Sequence, residues 1–262
     1  MHLTVDMPSC TPEGYTSFRT SAAPPPTTCT TGLAPLRISG SSQFNAKGLS
    51  RLLGALDVPA VTVADLRQES HALVGKSALT FYVGHNSGNA GQGRHALEAH
   101  EAHQVRGLRG HRHLTAYLII GGLFCRTRID AGEVQREHQL ANQAGVGYVR
   151  LPMGDGDDAP SAATVDAFLG ARRALPRDGW MHFHCLHGHG RTTLLMAMAD
   201  LLHNHSRLSL EQIVRRQHQM GGADLRRRGG TMAFLRSFRS YCMATCGGAD
   251  GRSYAAWHKA AT

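Results

Sequence analysis

Residues 181–202 read MHFHCLHGHGRTTLLMAMADLL. With Trp180 in front, WMHFHC alternates large apolar residues with histidines and predicts a strand ending at Cys185. A short loop with Gly188 and Gly190 follows, and the apolar run TTLLMAMADLLHN predicts a helix beginning near Arg191. Strand, glycine loop and helix start together form an anion site. Successive backbone N–H groups converge on one point and the helix dipole adds positive potential. The same setting favours a thiolate at Cys185, and a thiolate beside a bound phosphate is a nucleophile in position. Arg191, six positions on, lies across the loop, where its planar fork can grip two phosphate oxygens. Thr192 offers a hydroxyl to the sulfur as leaving group. Leu186, His187, Gly188, His189 and Gly190 supply the phosphate-binding loop between them, and His184 is expected to stabilise the thiolate.

Outward from this loop, strand and helix patterns alternate. ISGSSQF begins as a strand, NAKGLSRLLGAL has helical spacing, and VPAVTVADLR (58–67) is a β-branched run expected as a buried strand. GEVQREHQLANQAG predicts a helix closed by Gly145, and GYVRLPM a strand. Ser161 is placed to cap the helix AATVDAFLGARRAL. Ser209 with Gln212 forms a capping box for LEQIVRRQHQM, and TMAFLRSFRSYCM closes the helical pattern. This order implies an α/β fold with a mainly parallel sheet flanked by helices. Residues 96–128, dense in histidine and arginine, read as a small decoration. The Ser/Thr/Pro-rich residues 1–31 read as a disordered leader. The catalytic domain is expected over 32–246, and 247–262 as a flexible tail.

The 262 residues carry a formal net charge of +9, which favours anionic partners such as phosphorylated substrates. No recognition motif or interleaved aromatics point to nucleic acid. The six cysteines show neither zinc-ribbon spacing nor a dense disulfide framework. His182, His184, His187 and His189 divide between strand and phosphate loop, so neither a metal site nor any other cofactor is expected. No apolar run reaches membrane-span length, and the first residues lack the pattern of a signal peptide.

HCLHGHGRTT resembles the signature of the protein tyrosine phosphatase superfamily, and the doubled threonine and preceding FHC are most similar to its bacterial phytases. ISGSSQF (38–44), DLRQESHAL (65–73), GEVQREHQLANQAGVGYVRL (132–151), LPRDGWMHFHC (175–185) and RRQHQMGG (215–222) resemble segments of those phytases in the same order. FRTSAAPPPTT (18–28) extends the likeness, which covers about residues 18–242. The resemblance implies metal-free, stepwise dephosphorylation of inositol polyphosphates through a phosphocysteine. It implies a general acid on the loop after YVR, here MGDGDDAP. Asp155 aligns best, with Asp157 and Asp158 as alternatives; Gly156 stands where the family has a histidine. It also implies that Arg67 faces the pocket and binds substrate phosphate, with Lys76 and His85 as further candidates and Arg226, Arg227 and Arg228 as a source of charge. Some members are effectors injected into host cells, so both the bacterial cytoplasm and delivery into a host are expected locations. A phosphatase for phosphorylated proteins or phosphoinositides, and a non-catalytic phosphate reader, are the competing readings.

Overall fold

In the computed structural model, which describes residues 2–261, the apolar runs become the strands of two sheets. The strands are β1 (His2–Val5), β2 (Arg19–Thr20), β3 (Ile38–Ser41), β4 (Val61–Arg67), β5 (His71–Val74), β6 (Ser77–Tyr82), β7 (His113–Ile120), β8 (Leu123–Asp130), β9 (Val134–Gln135), β10 (Gly147–Met153) and β11 (Trp180–His184). The helices are α1 (Ala46–Leu56), α2 (Arg94–Leu108), α3 (Glu137–Gln143), α4 (Ala162–Ala174), α5 (Gly190–Asn204), α6 (Leu210–Gln219), α7 (Gly229–Ala244) and α8 (Tyr254–Ala261).

One sheet has the order β10-β4-β11-β3-β2. Its first four strands run parallel, and only β2 is antiparallel. This is the expected mainly parallel sheet. The carboxyl ends of β3, β4, β10 and β11 open on one side, where open α/β sheets bind their ligands. Helix α5 leaves that side and is buried all round: every side chain from Leu194 to Leu201 is at most 1% exposed. It packs against α6, α7, β3 and β11 in the largest core, with Phe168, Phe183, Leu235 and Phe238. Ser161 and Ser209 cap α4 and α6 through backbone N–H groups, as their positions require.

The second sheet, β8-β7-β1-β6-β5-β9, is antiparallel except for the β1–β7 pair. It has its own core, in which Val5, Leu79, Phe81 and Ala116 meet Val105 of α2. Three expectations are corrected here. Residues 2–31 are not a disordered leader: β1 is an interior strand, Asp6, Ser9 and Arg19 are buried, and the Thr31 carbonyl accepts from Arg216 at 2.7 Å. Low hydrophobicity misled because the segment is held by polar contacts to buried arginines rather than by its own core. Residues 96–128 are no appendage, since α2 and the β7–β8 hairpin build this sheet and its cover. Residues 247–261 are not a loose tail, because Tyr254 of α8 is 4% exposed and packs on Phe238 and Tyr241. Met1 and Thr262, at the ends of those segments, lie outside the described residues. Among the described residues no helix is long and apolar enough to cross a membrane.

Candidate active site

Three strand ends and the start of α5 deliver the side chains. β11 ends at His184, and Cys185 opens the loop, 3% exposed. The Gly188 N–H and the Thr192 hydroxyl each point at Cys185 Sγ from 3.3 Å. These are two donors to the sulfur, the arrangement a nucleophilic or leaving thiolate requires. Gly188 adopts φ +76°, and a Cβ there would lie 2.5 Å from the Ser42 nitrogen. Only glycine lets the loop pass so close to the end of β3. The Leu186 carbonyl accepts from the Gln43 N–H at 3.0 Å, tying the loop to β3 a second time.

Arg191, the second residue of α5, is 4% exposed and lies against Glu69, just beyond β4. Its two terminal nitrogens donate to the two Glu69 oxygens at 2.7 and 3.0 Å, and one also donates to the Met153 carbonyl at 3.1 Å. This bidentate pair fixes the guanidinium plane at the mouth of the loop. Burial pushes the Glu69 carboxyl up, but Arg191 and Arg67 outweigh it and hold the carboxyl well below the usual range. Arg191 in turn is held further above its ordinary value by Glu69 and Cys185 than burial lowers it.

Asp155 follows β10, half in solvent. One oxygen lies 3.3 Å from an Arg191 nitrogen, and the other accepts from Asn86 at 3.0 Å. Of the three acid candidates it alone reaches Arg191. Asp157 accepts from the Gly154 N–H, and Asp158 binds Thr231 and Arg228. Arg228 also donates to the Gly156 and Asp157 carbonyls, strapping the acid loop to the start of α7. Arg226 pairs with Asp224 on the surface. Leu186, His187, Asn86, Tyr82, Met7, Ile119 and Asp155 line a cavity of about 270 Å³ beside the loop. His85 lies in a neighbouring recess with Asn86, Asp155 and Asp157. Burial, then Arg19 and His187, lower the pKa of His189.

Two expected ligands are elsewhere. Arg67 does not face the pocket: its side chain is fully buried and its hydrogen bonds go to Asp6, Glu69, Gln43 and Thr80. A buried guanidinium has to be paired, so Arg67 faces the carboxylates and reaches the loop only through Glu69. Lys76 sits exposed in the β5–β6 turn, where its carbonyl accepts from Asn45. His184 is fully buried beneath the loop. Its Nε2 lies 2.7 Å from Glu137 and its ring packs on Phe44. Its contacts run to the scaffold, not to Cys185 Sγ.

Sequence reading missed Glu69, Glu137 and Arg19. Arg19, 5% exposed, donates to the Gly188 carbonyl at 2.8 Å and to Thr193 at 3.0 Å, bracing the loop from β2. Burial lowers its pKa to about 10. Glu137 accepts from Gln43 and faces His71 and His184. The visible signal was a surplus of arginines and histidines in apolar segments, each of which needs a carboxylate once buried. Asp65, Glu137 and His184 bring ligand-type atoms within 4.8 Å of one another. Those atoms are engaged: Asp65 pairs with Arg150 at 2.7 Å and with the Tyr148 hydroxyl at 2.7 Å, and Glu137 is bound as above. The cluster is an ion-paired network under the sheet end, in which only His184 Nδ1 is left without a hydrogen-bond partner.

A family model for protein tyrosine phosphatase-like phytases, whose description reads inositol hexakisphosphate, matches residues 64–203, more than half of the chain. The chain belongs to this family. A phosphatase of the family from Mitsuokella multacida, solved with myo-inositol-(1,3,4,5)-tetrakisphosphate, superposes with a TM-score of 0.89 at 26% identity, covering 98% of this chain and 47% of that one. A family phytase from Bdellovibrio bacteriovorus gives a TM-score of 0.79 at 27% identity, covering 98% and 93%. Effector protein hopD2 of Pseudomonas syringae pv. tomato is 26% identical over 200 residues, 73% of this chain and 42% of its own. The chain thus spans less than half the length of hopD2 and of the Mitsuokella protein.

Proposed function

We propose that this chain is a cysteine-dependent phosphatase that hydrolyses phosphate monoesters of inositol polyphosphates. The observation that carries the reading is Cys185 Sγ under two donors at 3.3 Å, with Arg191 locked beside it by Glu69. Loop N–H groups and the Arg191 fork hold three phosphate oxygens. Sγ attacks phosphorus and the ester P–O bond breaks. The leaving alkoxide takes a proton from the Asp155 carboxyl, giving a phosphocysteine and an alcohol. Water then attacks phosphorus, Asp155 accepts its proton, and the S–P bond breaks with Thr192 donating to the departing sulfur. Arg191 follows the charge through both transition states. No step requires a metal. Family membership and the relative that binds an inositol tetrakisphosphate support the substrate class.

A second reading has one observation in its favour. Tyr82, Met7, Ile119 and Leu186 line the cavity together with Asp6 and Asp155, and His187 is its one basic side chain. That lining suits a phosphate ester with an apolar or aryl body better than a ring bearing many phosphates. The name of hopD2 supports delivery into a host cell as one location for this chain.

The test is phosphate release from inositol hexakisphosphate, with a phosphotyrosine peptide in parallel, in the presence of a chelator. Wild type is expected to act on the inositol substrate, Cys185→Ser to be inactive, and Asp155→Asn to fall about 100-fold or more, the scale of a lost general acid. Asp157→Asn is expected to change the rate little. Release from the peptide alone would keep the mechanism and overturn the substrate.

A further inference from the structure

The β7–β8 hairpin ends in the tip Ile119-Ile120-Gly121-Gly122-Leu123-Phe124, and its apolar side chains stand in solvent. Leu123 is 71% exposed, Ile120 55% and Phe124 47%. The packing of the second sheet uses the hairpin's other end, through Leu114, Ala116 and Ile129. A protruding tip of four large aliphatic and aromatic residues is not ordinary surface. It is also not protected as edge strands usually are, by charges or proline at the exposed end.

The register places charge next to this tip. Ile119 pairs with Phe124, Tyr117 with Arg126 and Thr115 with Arg128, so Phe124, Arg126 and Arg128 share one face. Both arginines are exposed, and among the described residues neither is paired with a carboxylate. Arg112 is exposed just before the hairpin. It lies at the far end with the hairpin's one carboxylate, Asp130, which is paired with His113 at 2.8 Å. The aromatic members form a wall: Phe124 meets Tyr82 at 5.6 Å and Tyr117 at 6.2 Å between ring centroids. Met7 and Val83, 47% and 38% exposed, extend the apolar surface toward the cavity that Ile119 and Met7 line.

We propose that this hairpin is a docking element for an anionic lipid bilayer. The tip enters the headgroup and acyl boundary, Tyr117 and Tyr82 sit at its edge, and Arg126 and Arg128 contact the anionic headgroups. Apolar insertion with adjacent cations is the combination that holds a peripheral protein on such a surface, each cation adding an increment that salt weakens. A protein partner would satisfy the apolar tip equally, but a row of unpaired arginines on the same face matches a uniformly anionic surface. Because Ile119 belongs to both tip and cavity, the docked hairpin turns the phosphate loop toward the bilayer. The docking is independent of the catalytic reading and is tested without an activity.

The experiment is co-sedimentation of the full chain with vesicles of phosphatidylcholine containing 30% phosphatidylserine, beside phosphatidylcholine alone. Binding to the anionic vesicles is expected, with at least tenfold weaker binding to the neutral ones. Leu123→Asp is expected to reduce binding more than tenfold, and Arg126→Ala about fivefold, the loss of one surface cation. Both sites are exposed, and circular dichroism checks that the variants fold. No binding by wild type, or equal binding by Leu123→Asp, overturns the proposal. So does a concentration-dependent dimer that Leu123→Asp dissolves, which would make the tip an interface between copies.

Discussion

At the scale of single residues, Glu69 decides the geometry of the site. It touches two guanidiniums, Arg67 at 2.9 Å and Arg191 at 2.7 and 3.0 Å, and is itself 1% exposed. Removing one partner of a buried ion pair leaves the other charge uncompensated, at about 3–5 kcal/mol. Glu69→Ala is therefore expected to lower the urea midpoint by a corresponding amount. Glu69→Gln keeps shape and one acceptor, so it is expected to remain folded while the plane of Arg191 loosens. Phosphate release by that variant is expected to fall about tenfold, roughly 1.4 kcal/mol of lost positioning. An unchanged rate in folded Glu69→Gln would show that Arg191 does not need its carboxylate clamp.

At the scale of elements, the phosphate loop is shaped by what presses on it. β3 lies against Gly188, Arg19 of β2 holds its carbonyl, and Arg228 at the start of α7 ties down the acid loop opposite. Gly188→Ala would meet the Ser42 nitrogen at 2.5 Å and the Ser41 carbonyl carbon at 2.6 Å while keeping φ +76°. The left-handed conformation disfavours a side chain by about 1–2 kcal/mol and the overlap adds about 1–3 more. Gly188→Ala is expected to lower the melting temperature and to abolish phosphate release. Retained activity with an unchanged melting temperature would mean that the loop sits further from β3. The helix N-terminus contributes its field only because this packing holds the loop over it.

At the scale of the whole molecule, the two sheets are joined by buried charge. Asp6, Arg67, Glu69 and Arg191 run from the second sheet to α5, while Glu137, His71, Asp65, Glu101 and Arg150 cross beneath. Burial pushes the Glu137 carboxyl up, but the imidazoles of His184 and His71 hold it well below the usual range. Carboxylates held low stabilise the fold above the unfolded value, about 4.3, and lose that stabilisation as pH falls toward their folded values. His182, whose pKa is lowered by burial, adds a loss below its unfolded value, about 6.5. His71 acts oppositely. Burial and Arg67 lower it, but Asp65 and Glu101 contribute to a net rise, so its stabilisation is present in acid and is lost as pH rises through its folded value. Glu69, Glu137 and His182 outnumber it. Denaturant midpoints are expected to fall from about pH 5 to about pH 2, the window of carboxylates held below their unfolded value, and to fall less steeply in Glu137→Gln. A profile flat down to about pH 2 would remove the buried carboxylates as the link between the sheets.

The sequence by itself determined the parts that local chemistry writes. HCLHGHGRTT marked the glycine loop between β11 and α5 with its candidate nucleophile and arginine, the serine caps marked α4 and α6, and a β-branched run marked β4. Asp155 was named among three, because the loop after YVR has to supply an acid but spacing does not select one. Only the tertiary structure decided which arginine lies at the Cys185 loop and which is enclosed among carboxylates away from it, since Arg67 and Arg191 are the same residue type in different surroundings. It also built residues 2–31, the β7–β8 hairpin and α8 into the fold. Their contacts run to residues far along the chain, Arg19 to Gly188 and Thr31 to Arg216 among them. Pairings of such separation leave no local periodicity to read, and they exist only once the chain has closed on itself.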